Sequence, residues 1–148
     1  MPDDFPNRPL AVLLVEDSEP DVALTVEAFE DAKIDVELVI AGDGAAAVEL
    51  LDDAARGERR PPELILLDLG LPKVNGLQVL EYVKSHRELK VIPVVVMTSS
   101  QSPADLRGAY ERHANSFISK PVDQDEFVET VHGIQDYWAA LVRLPSRS

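Results

Sequence analysis

The sequence predicts a doubly wound α/β sandwich: a five-stranded parallel sheet with helices on both faces, three layers in all. Five short apolar runs recur along the chain, three of them rich in β-branched Val or Ile, and stretches with helical spacing separate them. At 148 residues, 45% of them hydrophobic, the chain can bury one core. A closed (β/α)₈ barrel would need roughly 200 residues or more.

The first run is Val12 to Val15, and near-continuous hydrophobicity of this kind suits a strand buried on both faces. Val22, Val26 and Phe29 then recur every three or four residues, the period of a helix with one apolar face. Val36 to Ile40 forms the second strand; Asp43 is a plausible N-cap for a second helix carrying Ala47, Val48 and Leu51. The turn tract "ARGERRPPE" leads to the third strand, Leu64 to Leu67. "GLPKVNG" then opens a third helix with Leu77, Leu80 and Val83. Val94 to Met97 is the fourth strand. Ser102 is a candidate cap for the fourth helix, with Pro103 in its first turn, where a missing N–H costs nothing. Phe117 to Ile118 is the fifth strand. In the last helix Phe127, Val131, Ile134, Trp138 and Leu141 alternate steps of four and three and run about two turns past the expected edge of the sheet.

Strict strand–helix alternation implies right-handed crossovers. Open sheets of this kind place their ligand outside the carboxyl ends of the strands, where strand order reverses; in the flavodoxin-like order 2-1-3-4-5 that point lies between strands one and three. Residues at those ends therefore carry the functional question.

Composition narrows the classes. There is no Cys, so disulfides and thiolate metal sites are excluded, which suits a reducing, cytoplasmic setting. Twenty-seven acidic against fourteen basic residues give a formal charge of −13, which repels phosphate backbones and anionic membranes. Neither nucleic acid nor membrane is expected as a partner. "MPDDFPNRPL" is unlike a secretory signal, and nowhere do eighteen apolar residues run together.

The first strand ends "LLVEDS", presenting Glu16 and Asp17, and the third ends "LILLD" at Asp68. Two carboxylates about 4 Å apart repel by roughly 4 kcal/mol at an effective dielectric near 20, so three together call for a cation or a bound proton. Oxygen-only ligands favour Mg²⁺, which keeps waters and accepts a phosphate oxygen. On this reading Asp68 is a nucleophile toward phosphorus and Glu16 and Asp17 hold the metal beside it. Thr98 and Lys120, at the ends of the fourth and fifth strands, supply a hydroxyl and an ammonium to the same rim. Taken singly, each residue has a plainer reading: a charge pair at a helix start, a β-branched strand residue, a solvated amine. His86, His113 and His132 lie on separate predicted helices without ligand spacing.

With "VED", "DLGLPKVNG", "MTS" and "SKP" in register, the chain resembles the receiver domains of two-component response regulators over about residues 9 to 135. The resemblance implies Asp68 as phosphoacceptor; Glu16, Asp17, Asp68 and the Gly70 backbone carbonyl as Mg²⁺ ligands; Thr98 as the switch hydroxyl; Phe117 as the switch aromatic; and Lys120 as the phosphoryl partner. Gly70 and Ser100 depart from the chemotaxis-type pattern beside the path of the attacking water, so the phosphoryl lifetime stays open. "LPK.NG", "SKPVD" and a last helix with "YW" ending "LVRLP" look like the stand-alone regulators paired with phytochrome-type histidine kinases. The expected organisation is an N-terminal extension over 1–8, one receiver domain over 9–143 and a tail over 144–148, with output through protein contacts rather than enzymatic turnover. A homodimer is expected through the fourth helix, fifth strand and fifth helix, with Phe117, Phe127, Trp138 and Leu141 at the interface; Trp138 alternatively folds against its own protein.

Two rivals share parts of this pattern. A flavodoxin-like binding protein needs a hydroxyl- and glycine-rich phosphate loop where this chain has "EDSEPD". A phosphatase of the haloacid dehalogenase type wants a second Asp two residues after the nucleophile, the place of Gly70.

Overall fold

In the computed structural model, residues 9–69, 76–98, 107–108, 111–120 and 123–143 are described, with backbone alone for 119 and 141–143. Five strands form one parallel sheet: β1 (Leu10–Val15), β2 (Val36–Ala41), β3 (Leu64–Asp68), β4 (Val94–Thr98) and β5 (Ser116–Ser119). Their order is β2-β1-β3-β4-β5, as expected. Helices α1 (Glu19–Asp31), α2 (Gly44–Ala55) and α3 (Gly76–Ser85) follow the first three strands, and a C-terminal helix spans Gln124–Arg143. Most of the fourth expected helix, with Ser102 and Pro103, lies outside the described residues.

Side chains alternate between two cores across the sheet, as the period of a strand requires. One core joins Leu13, Val15, Ile65, Leu67, Val94 and Val96 to α2 and α3. The other joins Leu10, Val12, Leu14, Leu64, Leu66, Val95, Met97 and Ile118 to α1 and the C-terminal helix. Every residue of β1, β3 and β4 is buried, which explains why those strands read as unbroken apolar runs. The edge strand β2 is half-buried instead.

Helix starts follow the capping logic. Asp43 accepts from the Ala46 N–H at 2.8 Å, and Ser18 caps α1 by accepting from the Asp21 N–H. In α1 the inward residues are Thr25, Ala28 and Phe29, with Val22 and Val26 half-buried. Gly76 opens α3 against the end of β3. A Cβ there would stand 2.6 Å from the Asp68 carbonyl oxygen and from the Leu69 Cα, so only glycine allows this approach.

The C-terminal helix corrects the interface expectation at one residue. Phe127 is wholly buried and meets Phe29 edge to face, ring centroids 4.8 Å apart, so it belongs to the protein's own core and offers no surface. About three turns on, the half-buried Trp138 donates its indole N–H to the Glu63 carbonyl at 2.6 Å, and the Tyr137 hydroxyl reaches the Val91 carbonyl at 3.4 Å. This part of the helix thus lies against the body at the amino-terminal edge of β3 and β4, not beyond it. The Leu141 side chain lies outside the described residues. Among the described residues no helix is long and apolar enough to cross a membrane.

Candidate functional site

The parallel register brings the carboxyl ends of β1, β3, β4 and β5 to one rim. Leu14 pairs with Leu66, so Glu16 and Asp68 continue the same side-chain phase one step beyond that pair. The Glu16 N–H still donates to the Ala41 carbonyl at 3.0 Å, which extends the β1 ladder to the site. Lys120 is fixed likewise, its N–H donating to the Thr98 carbonyl at 3.0 Å.

Glu16, Asp17 and Asp68 each offer a carboxylate oxygen, and these oxygens lie within 4.8 Å of one another. Glu16 and Asp68 are buried, at 2% and 8% exposure, whereas Asp17 faces solvent. The Lys120 ammonium sits among them, 2.6 Å from Glu16 Oε1 and 3.5 Å from Asp68 Oδ2. Glu16 also accepts from the Ser18 N–H at 3.2 Å. Burial is the main force raising the Glu16 pKa; the hydrogen bond from Lys120 opposes it and the Asp68 carboxylate adds to it. For Lys120 burial alone would lower the pKa, but hydrogen bonds to Glu16 and Asp21 and the charges of Asp68 and Glu16 outweigh it and raise the net value. The ammonium therefore stays charged at neutral pH.

An all-oxygen donor set of three carboxylates, two of them buried, fits a hard divalent cation. Thr98 is buried at the end of β4, and Phe117 is half-buried against the core on the α2–α3 side. Gly70 and Ser100 lie outside the described residues. His86, His113 and His132 join no cluster of metal-ligating side chains among the described residues.

Asp21 escaped the sequence reading. Its carboxylate lies 2.9 Å from the Lys120 ammonium, a contact across 99 residues of chain. In sequence it is one more acid in "EDSEPD", indistinguishable from a helix-start charge.

The family model for the response regulator receiver domain matches residues 12–132. The chain belongs to this family. It is 42% identical to response regulator Rcp1 of Synechocystis sp. over 144 residues, covering 97% of this chain and 98% of that one. The structure of the Mn²⁺-bound form of Rcp1 superposes with a TM-score of 0.72 over 93% of this chain and 99% of that one, at 41% identity. The bacteriophytochrome response regulator RtBRR matches at 42% identity and a TM-score of 0.75, covering 86% of this chain and 78% of that chain. The phosphorylated cyanobacterial phytochrome response regulator RcpA matches at 35% identity and a TM-score of 0.75, covering 93% and 99%. This receiver protein is thus a phosphoacceptor of two-component signalling related to phytochrome-associated regulators, with an acidic pocket for a divalent metal and a sensor histidine kinase as its class of partner.

Proposed function

We propose that Asp68 accepts a phosphoryl group from the phosphohistidine of a phytochrome-type sensor kinase, with Mg²⁺ as the resident cation. The gathering of Glu16, Asp17 and Asp68 on one rim with Lys120 beside the acceptor carries this reading. A carboxylate oxygen of Asp68 attacks phosphorus, the phosphorus–nitrogen bond breaks, and the imidazole leaves with its electron pair. Glu16, Asp17, Asp68 and, as the family resemblance implies, the Gly70 carbonyl would hold Mg²⁺, which when bound would neutralise charge on the phosphoryl oxygens. Lys120 presents a second positive charge to them and Thr98 a hydroxyl. Beyond this self-directed phosphorylation and its hydrolysis, the protein turns over no substrate.

Thr98 and Phe117 act as the switch pair, and the output is a protein contact made in the cytoplasm. A homodimer through the segment after β4, β5 and the C-terminal helix completes the reading, with Phe117 and Leu141 as its candidate residues; Trp138 is engaged within its own chain. The decisive test is labelling by acetyl phosphate with Mg²⁺. Asp68→Asn is expected to abolish the label, and its persistence on that variant would move the acceptor elsewhere. The relatedness to Rcp1, RtBRR and RcpA supports a phytochrome-type donor, which phosphotransfer assays with such kinases test directly.

A further inference from the structure

Asp21 holds the Lys120 ammonium from outside the carboxylate cluster. Nζ lies 2.6 Å from Glu16 Oε1 and 2.9 Å from Asp21 Oδ2, both hydrogen-bonding distances, but 3.5 Å from Asp68 Oδ2. The acceptor is therefore the most weakly held of the three acids around this cation. Asp21 is not one of the acids whose oxygens converge, and 35% of its side chain remains exposed.

The frame sets this geometry, not the pair alone. The Asp21 N–H donates to Ser18 Oγ at 3.3 Å, and its carbonyl accepts from Thr25 Oγ1 at 3.0 Å, which fixes the first turn of α1. The other end of α1 is bound to the C-terminal helix by the Phe29–Phe127 contact and by Gln124 Nε2 donating to the Ala28 carbonyl at 3.0 Å. Lys120 is held in turn by its N–H on the Thr98 carbonyl at 3.0 Å, so each end of the Asp21–Lys120 pair has its own backbone anchor.

An ammonium and a divalent ion compete for the carboxylates of Glu16 and Asp68. We propose that Asp21 is a positioning residue: by drawing the Lys120 ammonium toward α1, it keeps Asp68 open to the divalent ion and to the incoming phosphoryl group. This rests on the cluster being the cation pocket described above. Without Asp21, the ammonium settles between Glu16 and Asp68, where the divalent ion must displace it.

The test is calorimetric titration of the whole chain with Mg²⁺ alone, for wild type, Asp21→Asn, Asp21→Ala, Lys120→Met and the double variants. Lys120→Met is expected to tighten binding. Both Asp21 variants are expected to weaken it about fivefold when Lys120 is present, and by less than about twofold in the Lys120→Met background, a non-additivity that a through-space charge effect or a folding defect does not produce. Equal effects in the two backgrounds would overturn the role of Asp21. Failure of the unsubstituted chain to take up Mg²⁺ would overturn the pocket itself, and the two results are distinguishable because only the second shows in wild type.

Discussion

Tyr82 shows how a single side chain carries a pH signature in this protein. It donates its phenol hydrogen to Asp52, linking α3 to α2, and lies beside His86 with ring centroids 5.7 Å apart. Burial first, then the hydrogen bond and charge of Asp52, push its pKa up to about 12 from the usual 10.0. The folded state thus keeps a proton that the unfolded chain releases, so between pH 10 and about 12 the unfolded state binds fewer protons and stability falls as pH rises. Denaturant melts across that window are expected to decline for wild type and to decline less for Tyr82→Phe; identical slopes would refute this account. Lys84, two residues on in the last turn of α3, has a pKa lowered by burial and donates to the Ile92 carbonyl at 2.8 Å and to Asn115 Oδ1 at 3.0 Å. It fastens the turn before β4 to the one before β5, far from the rim, and its role is structural.

At the scale of elements, the join between β3 and α3 decides how Asp68 is presented. Helix α3 begins so close to the strand end that a methyl at Gly76 would meet the Asp68 carbonyl and the Leu69 Cα at 2.6 Å, well inside van der Waals contact. Gly76→Ala is expected to cost about 1 to 3 kcal/mol in denaturant melts, since overpacking forces backbone shifts. It should also slow acetyl-phosphate labelling of Asp68, because the displaced backbone is that of the acceptor itself. Unchanged labelling with a clear loss of stability would show that the strand end relaxes without moving the carboxylate. The C-terminal helix makes the complementary point. Its inner face is fixed by Phe127 and Val131 in the core, and its far end by Trp138 on the Glu63 carbonyl. Glu63 is itself tied down, its carboxylate accepting from the Ala11 N–H at 3.0 Å and from Arg60 at 3.1 Å. The apolar stripe that continued past the expected sheet edge is thus used, through Trp138, within one chain.

For the whole molecule, a formal charge of −13 sets the terms of any self-association. Two copies repel at long range, and salt screens that repulsion within a Debye length of about 10 Å at 0.1 M. Exposed Val91 and Tyr137 lie together at the amino-terminal edge of the sheet, as apolar surface beside the C-terminal helix. Light scattering, with and without beryllofluoride, is expected to find a dimer whose fraction grows with added salt. A monomer under all these conditions, at high concentration, would remove the dimer from the proposal. The same charge leaves nucleic acid an unfavourable partner.

Among the described residues, the order of elements, the strand cores and the acids at the strand ends could all be read from the chain, because apolar period and turn chemistry are local properties. The predicted runs Val12 to Val15, Leu64 to Leu67 and Val94 to Met97 each fall inside an observed strand, and Asp43 caps α2 as expected. Sequence also singled out Glu16, Asp17 and Asp68 as a group, since parallel strand ends must share a rim. What it could not decide was which partner each residue meets. Phe127 and Trp138 sit on one apolar stripe, yet only packing against Phe29 and the Glu63 carbonyl made the first a core residue and the second a clasp. Asp21 looked like any charge at a helix start until the fold carried Lys120 to it across the chain. Such pairings depend on how α1 and the C-terminal helix dock on the sheet, a matter of tertiary distance that no local pattern encodes.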